Sequence, residues 1–205
     1  MQILSDDELH GIVERTVQQV LGSGKPSPNP IEQPKPQPEV TPASPVAPAA
    51  EKKTVAIGTD HGGVELKEIL KTFLAELGYV VIDCGTNTKD AVDYPDIALA
   101  VARLVANGSA WRGVIIDGAG IGSCMSANKV PGIRAALCYD YSTAVNSREH
   151  NDANVLTLGA GLIGVNLAKQ ILKTWLATDF GGGRHANRVD KITGVEKLFM
   201  KEAKN

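Results

Sequence analysis

The sequence predicts an α/β domain, a Rossmann-like three-layer α/β/α arrangement around a five-stranded parallel sheet, preceded by an amphipathic helix on a proline-rich linker. Three observations carry that expectation. From Thr54 onward, short apolar runs alternate with longer segments of helical period. The run Gly113–Asp117 delivers a carboxylate into a loop with glycine at every second position, Gly118, Gly120 and Gly122. Between Lys25 and Ala50 lie nine of the eleven prolines, a composition that cannot build a core.

The elements follow in order. Ser5 and Glu8 have the spacing of a capping box, in which each side chain satisfies the other residue's free backbone donor. Behind them Leu9, Ile12, Val13, Val17, Val20 and Leu21 form one apolar stripe, and Gly22 is suited to end the helix. Residues 1–24 are therefore expected as a helix of about four turns, marginal alone in water. Residues 25–53 are expected as an extended spacer, its proline-rich stretch from Lys25 to Ala50 reaching roughly 80 Å at ~3.1 Å per residue. In the domain of residues 54–205 the first strand is Thr54–Thr59, followed by a helix over Val64–Leu77 that Gly78 ends. Tyr79–Asp83 is a strand, Pro95–Asn107 a helix and Gly113–Asp117 the third strand. A helix over Ile121–Lys129 stops before Pro131; Ile133–Cys138, Tyr141–Glu149 and Val155–Leu158 read as strand, helix and strand. Helices over Ile163–Ala177 and from about His185 to Glu202 complete the domain. Strands separated by helices demand right-handed crossovers, and ligands of such sheets bind at the carboxyl ends of the strands.

Composition narrows the function. A formal charge of −2 argues against a nucleic-acid partner, and the absence of any run of 18 apolar residues argues against a membrane span. No secretion signal is expected at the N-terminus. Aromatic residues make up only 4% of the chain, so Ala, Val, Ile and Leu must fill the core. Cys84, Cys124 and Cys138 follow no metal spacing and read as small reduced core residues.

Four polar features carry the chemistry, and they are expected to gather at one sheet edge. Asp60-His61-Gly62-Gly63 follows the first strand directly. Asp117 heads the glycine loop, whose backbone amides can approach a small anion; its alternative role is to cap the next helix. Arg148-Glu149-His150-Asn151-Asp152-Ala153-Asn154 precedes the fifth strand, where a solvated turn is the plain alternative. Arg184 and Arg188 lie one helical turn apart after Gly181-Gly182-Gly183, as a guanidinium pair for a phosphate ester or as a solvated face. The glycines read G-x-G-x-G, not G-x-G-x-x-G, and there is no Walker lysine, so no nucleotide fingerprint is present. Acid and base groups around a phosphate clamp suggest proton transfer next to a carbonyl in a small phosphorylated substrate, with no metal or redox cofactor.

Taken in order, Ile57-Gly58-Thr59-Asp60-His61-Gly62-Gly63, Asp93-Tyr94-Pro95-Asp96, Ala127-Asn128-Lys129, Gly132-Ile133-Arg134-Ala135, Ser147–Asn154 and Gly182-Gly183-Arg184-His185 with Arg188 resemble the sugar-phosphate isomerases of the ribose-5-phosphate isomerase B and galactose-6-phosphate isomerase type. The resemblance spans about Thr54 to Ile192. It implies metal-free interconversion of aldose and ketose phosphates through an enediolate. By position, Asp60 binds sugar hydroxyls and helps ring opening, and His61 lies near the phosphate. His150 is the ring-opening acid/base, Asn151 binds substrate, and Arg184 with Arg188 clamps the phosphate. The amides of the Gly118–Ser123 loop, Gly118, Gly120 and Gly122 among them, would hold the enediolate oxygens. The family shares sites across a dimer interface, so a homodimer or tetramer is implied, with His150 serving a neighbouring subunit.

The chain also departs from that pattern. Many members carry the base as Cys where this chain has Asp117; others use Glu at the place of Ser123. A Thr common two residues beyond the Cys is Ala119, and an Arg after the fifth strand is Gly161. One subunit type of galactose-6-phosphate isomerase likewise has Asp, and works only beside a chain carrying Cys. Asp117 is expected as the proton-shuttling base, with Cys124 as its rival. The helix and linker of residues 1–53 resemble the encapsulation peptides that direct enzymes into bacterial microcompartments, which implies a shell protein as partner and a location inside such a compartment.

Overall fold

The computed structural model describes residues 53–199 and Arg15. The helix expected over residues 1–24 and the linker of residues 25–53 lie outside the described residues, apart from Arg15 and Lys53.

Eleven elements alternate as expected: β1 Thr54–Thr59, α1 Val64–Glu76, β2 Val80–Asp83, α2 Tyr94–Ala106, β3 Arg112–Asp117, α3 Ile121–Ala127, β4 Ala135–Leu137, α4 Tyr141–Glu149, β5 Val155–Gly159, α5 Val165–Ala177 and α6 Arg184–Phe199. All pairings are parallel, in the order β2-β1-β3-β5-β4. Successive side chains along each strand point to opposite faces. Val55, Ile57, Val114, Ile116, Leu156 and Leu158 therefore pack on Leu66, Leu70 and Leu74 of α1 and Ile171, Leu172 and Trp175 of α5. Ala56, Ile115 and Val155 pack on Ala98, Val101 and Ala102 of α2 and Ala127 of α3. Each large apolar side chain removed from water in these layers contributes about 1.5–3 kcal/mol.

The second layer compensates for the scarcity of aromatics by close approach. A Cβ on Gly113 would lie 2.7 Å from the Val101 side chain, so α2 settles directly onto the sheet. β4 is shorter than the sequence suggested, three residues rather than six. The Arg134 amide donates to the Asn154 side-chain oxygen at 2.8 Å, which takes the place of a ladder bond there.

Connections from β1 lead to opposite sides: α1 carries the chain to β2, and α2 carries it back to β3. The crevice at the carboxyl ends of β1 and β3 is thus the topological switch point, where open α/β sheets bind ligands. β3 is buried along its whole length, and Asp117, its last residue, stands in register with Gly159 of β5.

Candidate active site

Asp60 follows β1 as a buried carboxylate, and its Oδ1 accepts the Gly62 amide at 2.9 Å. That closes the tight turn into α1. Gly63 has no room for a side chain: a Cβ there would meet Thr59 Oγ1 at 2.4 Å and Ile116 Cγ2 at 2.5 Å. His61 stands exposed beside this turn, with its Nδ1 accepting the Val92 amide at 3.4 Å. A backbone N–H can only donate, so the neutral ring carries its proton on Nε2. His61, Gly62, Val64, Glu65 and Lys89 line a small polar cavity of about 290 Å³.

The loop after β3 is held from three sides. The Ala160 amide donates to Asp117 O at 2.8 Å, the Gly161 amide to Gly118 O at 3.0 Å, and the Tyr139 hydroxyl to Ala119 O at 2.7 Å. Gly120 has φ +77, which reverses the chain into α3. A Cβ on Gly122 would strike the Tyr94 ring at 2.5 Å. Inside the loop the Asp117 carboxylate is a hub. Its Oδ1 accepts the amides of Ala119 and Gly120, and its Oδ2 accepts the Ser123 amide at 3.0 Å and the Ser123 hydroxyl at 2.6 Å. The capping role and the buried carboxylate expected from sequence thus coincide in one residue. The Gly120 and Ser123 amides, expected to face the substrate, are instead taken up by Asp117, which corrects that expectation. Among the described residues nothing accepts from the amides of Gly118, Ile121 or Gly122, so these remain able to donate to a ligand oxygen.

The remaining predicted residues lie elsewhere, which corrects the expectation of a single sheet edge. α4 begins at the carboxyl end of β4 and runs back, so His150 and Asn151 sit at the amino end of β5, as do α5's last turn and the start of α6. The Glu149 carbonyl accepts the Gly181 amide at 2.9 Å, joining α4's end to the turn that starts α6. The His150 and His185 rings stack at 4.1 Å. His150 Nδ1 pairs with Asn146 Nδ2 at 2.8 Å, and Asn151 Nδ2 donates to Asn146 Oδ1 at 3.2 Å. Arg184 and Arg188 are exposed on α6's first turns. The length of β3, roughly 17 Å at ~3.3 Å per step, separates this cluster from the Asp60, His61 and Asp117 cluster. The polar run before β5 is also partly structural: Arg134 and Arg148 both grip the Asp152 carboxylate, at 2.9 and 2.8 Å, and Arg148 Nε donates to Thr178 O.

Tyr139, Tyr94 and Asn146 also shape these clusters; of the three only Tyr94 stands in a quoted motif, and the sequence assigned none of them a role. The rival base, Cys124, points its Sγ at Ala135 O at 3.4 Å, and burial pushes its thiol up, away from the reactive thiolate. All three cysteines are free. Among the described residues no helix is long and apolar enough to cross a membrane, and no cluster of metal-binding side chains occurs.

Residues 55–192 match the family model described as Ribose/Galactose Isomerase. Ribose-5-phosphate isomerase B of Escherichia coli is 44% identical over 71% of this chain and 97% of the relative. D-erythrulose-4-phosphate isomerase of Pectobacterium atrosepticum is 41% identical over 68% and 92%. The solved structure of ribose-5-phosphate isomerase B from Clostridium thermocellum superposes with a TM-score of 0.71 at 51% identity, covering 72% of this chain and 99% of that one. The chain belongs to the ribose/galactose isomerase family. It is an enzyme of the aldose–ketose isomerase class, and sugar-phosphate isomerisation is its reaction type.

Proposed function

We propose that the enzyme interconverts ribose 5-phosphate and ribulose 5-phosphate through an enediolate. The observation that carries this reading is the trio of amides at Gly118, Ile121 and Gly122 that no described residue pairs, set beside the Asp60 and Asp117 carboxylates at the switch point. Aldose and ketose share one formula, so only protons move. Asp117 takes the C2 proton and returns it to C1, while the amides hold the developing oxyanion. Of the four donors on Asp117, the Ser123 hydroxyl alone can turn away without moving backbone, so Oδ2 is the oxygen that becomes basic. Asp60 binds sugar hydroxyls and His61 approaches the phosphate. The relatives known as ribose-5-phosphate isomerase B support the five-carbon substrate, with D-erythrulose 4-phosphate second.

His150, Asn151, Arg184 and Arg188 complete the site from a second copy of the chain, with His150 opening the sugar ring and the arginines gripping phosphate. Their place at the opposite sheet edge supports this, since one sugar phosphate does not span β3. So does α6, which buries none of its residues and exposes Ile192, Val195, Leu198 and Phe199 beside a groove of about 1020 Å³ along β4 and α4. Residues 1–24, whose sequence pattern is amphipathic, serve as a docking peptide for a microcompartment shell; their deletion should abolish co-sedimentation with shells and spare turnover.

The fourfold capping of Asp117 favours a second reading, a sugar-phosphate-binding subunit that needs a partner chain for chemistry. Assaying the purified protein alone against ribose 5-phosphate, D-erythrulose 4-phosphate and hexose 6-phosphates in heavy water separates the two. Deuterium appearing at C1 of a ketose product, or at C2 of an aldose product, supports the enediolate; binding without turnover overturns it.

A further inference from the structure

Lys67 is a fully buried ion that the proposed chemistry does not use. It lies on α1 with its side chain fully buried. Its ammonium donates to both oxygens of Asp83 at 2.9 Å and to Asn87 Oδ1 at 2.5 Å. Burying an ammonium costs several kcal/mol even when it is paired, and a hydrophobic replacement is often as stable. What the ammonium adds is the geometry it enforces on its two partners.

That geometry leads to the active site. Asp83 is the last residue of β2, and Asn87 belongs to the segment that connects β2 to α2. Lys67 ties the two together from below. The same segment turns back over the end of β1: the Thr59 amide donates to Gly85 O at 2.7 Å and the Thr86 amide to Thr59 O at 2.6 Å, one residue before Asp60. Further along, the Val92 amide holds His61 Nδ1, and Tyr94 lays its ring against Gly122. Both ends of the active-site crevice thus lean on one connection. Asp83 also receives Lys71 at 2.5 Å and the Gly85 amide at 2.9 Å. Burial pushes the Asp83 carboxyl up, but the bonds from Lys71, Lys67 and the Gly85 amide outweigh it and hold the group below the usual range.

We propose that Lys67 is a positioning residue: through Asn87 it fixes the 84–93 connection so that Val92 sets the tautomer of His61 and Tyr94 shapes the turn that receives the substrate. The proposal rests on the isomerase reading for its effect on turnover, but not for its effect on His61.

Two variants test it. Lys67→Met removes the ion, and Asn87→Ala leaves the Lys67–Asp83 pair intact while cutting its link to the connection. Three readouts are taken on the full chain: imidazole ¹⁵N shifts of His61, hydrogen exchange of the Val92 amide, and kcat and KM for ribose 5-phosphate. In Asn87→Ala we expect His61 to lose its fixed Nε2–H tautomer, Val92 to exchange about tenfold faster, and KM to rise about tenfold with kcat nearly constant. If Asn87→Ala leaves both the His61 signature and Val92 exchange as in the parent, the proposal is overturned, even where Lys67→Met unfolds. If these two change while the parent protein turns over no sugar phosphate, the positioning stands and the isomerase reading falls.

Discussion

The imidazole rings of His150 and His185 lie face to face, 4.1 Å apart and 5° from parallel. His185 Nδ1 finds no hydrogen-bond partner among the described residues. Desolvation and then the positive charges of His150, Arg184 and Arg188 hold His185 below the usual histidine range. The folded chain thus prefers the neutral ring, whereas the unfolded chain takes up a proton near pH ~6.5. The neutral ring's contribution to stability is full above that pH and is lost as pH falls toward the lower folded value, where the stacked ring itself takes up the proton. We expect kcat/KM to fall on the acid side, and His185→Phe, which keeps a ring but cannot take a proton, to move that limb to lower pH. A pH–rate profile between about pH 5 and pH 8 checks this; an unmoved limb would show that the stack does not set it.

Asp117 and Ser123 separate base from anchor. Asp117→Asn turns an amide NH₂ against the Ser123 donors or against those of Ala119 and Gly120. It should cost about 2–4 kcal/mol in denaturant unfolding, with turnover down at least ~100-fold. Ser123→Ala removes the movable donor alone, and turnover should stay within about threefold. Equal losses in both variants would mean that Asp117 only braces the loop.

Gly159 tests the loop from behind. A Cβ there would lie 2.7 Å from the Ala119 carbonyl carbon and oxygen, which are backbone and cannot swing aside. Gly159→Ala should cost about 1–3 kcal/mol and raise KM, measured by thermal unfolding and steady-state kinetics.

Arg112 secures the other edge. Its buried guanidinium donates to the Trp175 and Leu176 carbonyls at 2.8 and 3.0 Å, capping α5. Burial first and Arg148 second push it down to about 10, so it remains charged at neutral pH. Arg112→Met leaves those carbonyls without donors and should lower the melting temperature by about 5–15 °C in calorimetry.

Much of this was legible from the residues. Strand periodicity placed Asp60 and Asp117, because each directly follows an apolar run whose end fixes its position. His150 was harder to place: the rule that a crossover helix returns to the amino edge locates it, but its polar neighbours suggest a ligand crevice instead. Those neighbours turn out to include structural groups, with Asp152 held between Arg134 and Arg148. Lys67 left a trace, a cation on the stripe of Leu66, Leu70 and Leu74, yet long side chains commonly reach from such places to water. Only the position of Asp83 and Asn87 distinguishes a buried ammonium from a snorkelling one. The Tyr139 contact to Ala119 spans β4 and the β3 loop, and no local pattern encodes it.

The separation of the two clusters by the length of β3 makes the proposed dimer open to complementation. A chain lacking Asp117 and a chain lacking His150 would each be inactive alone. Mixed and reassembled, half of the dimers would pair one of each, and each such dimer would hold one site with both defects and one site with none. Two dead proteins would then regain about a quarter of the parent activity.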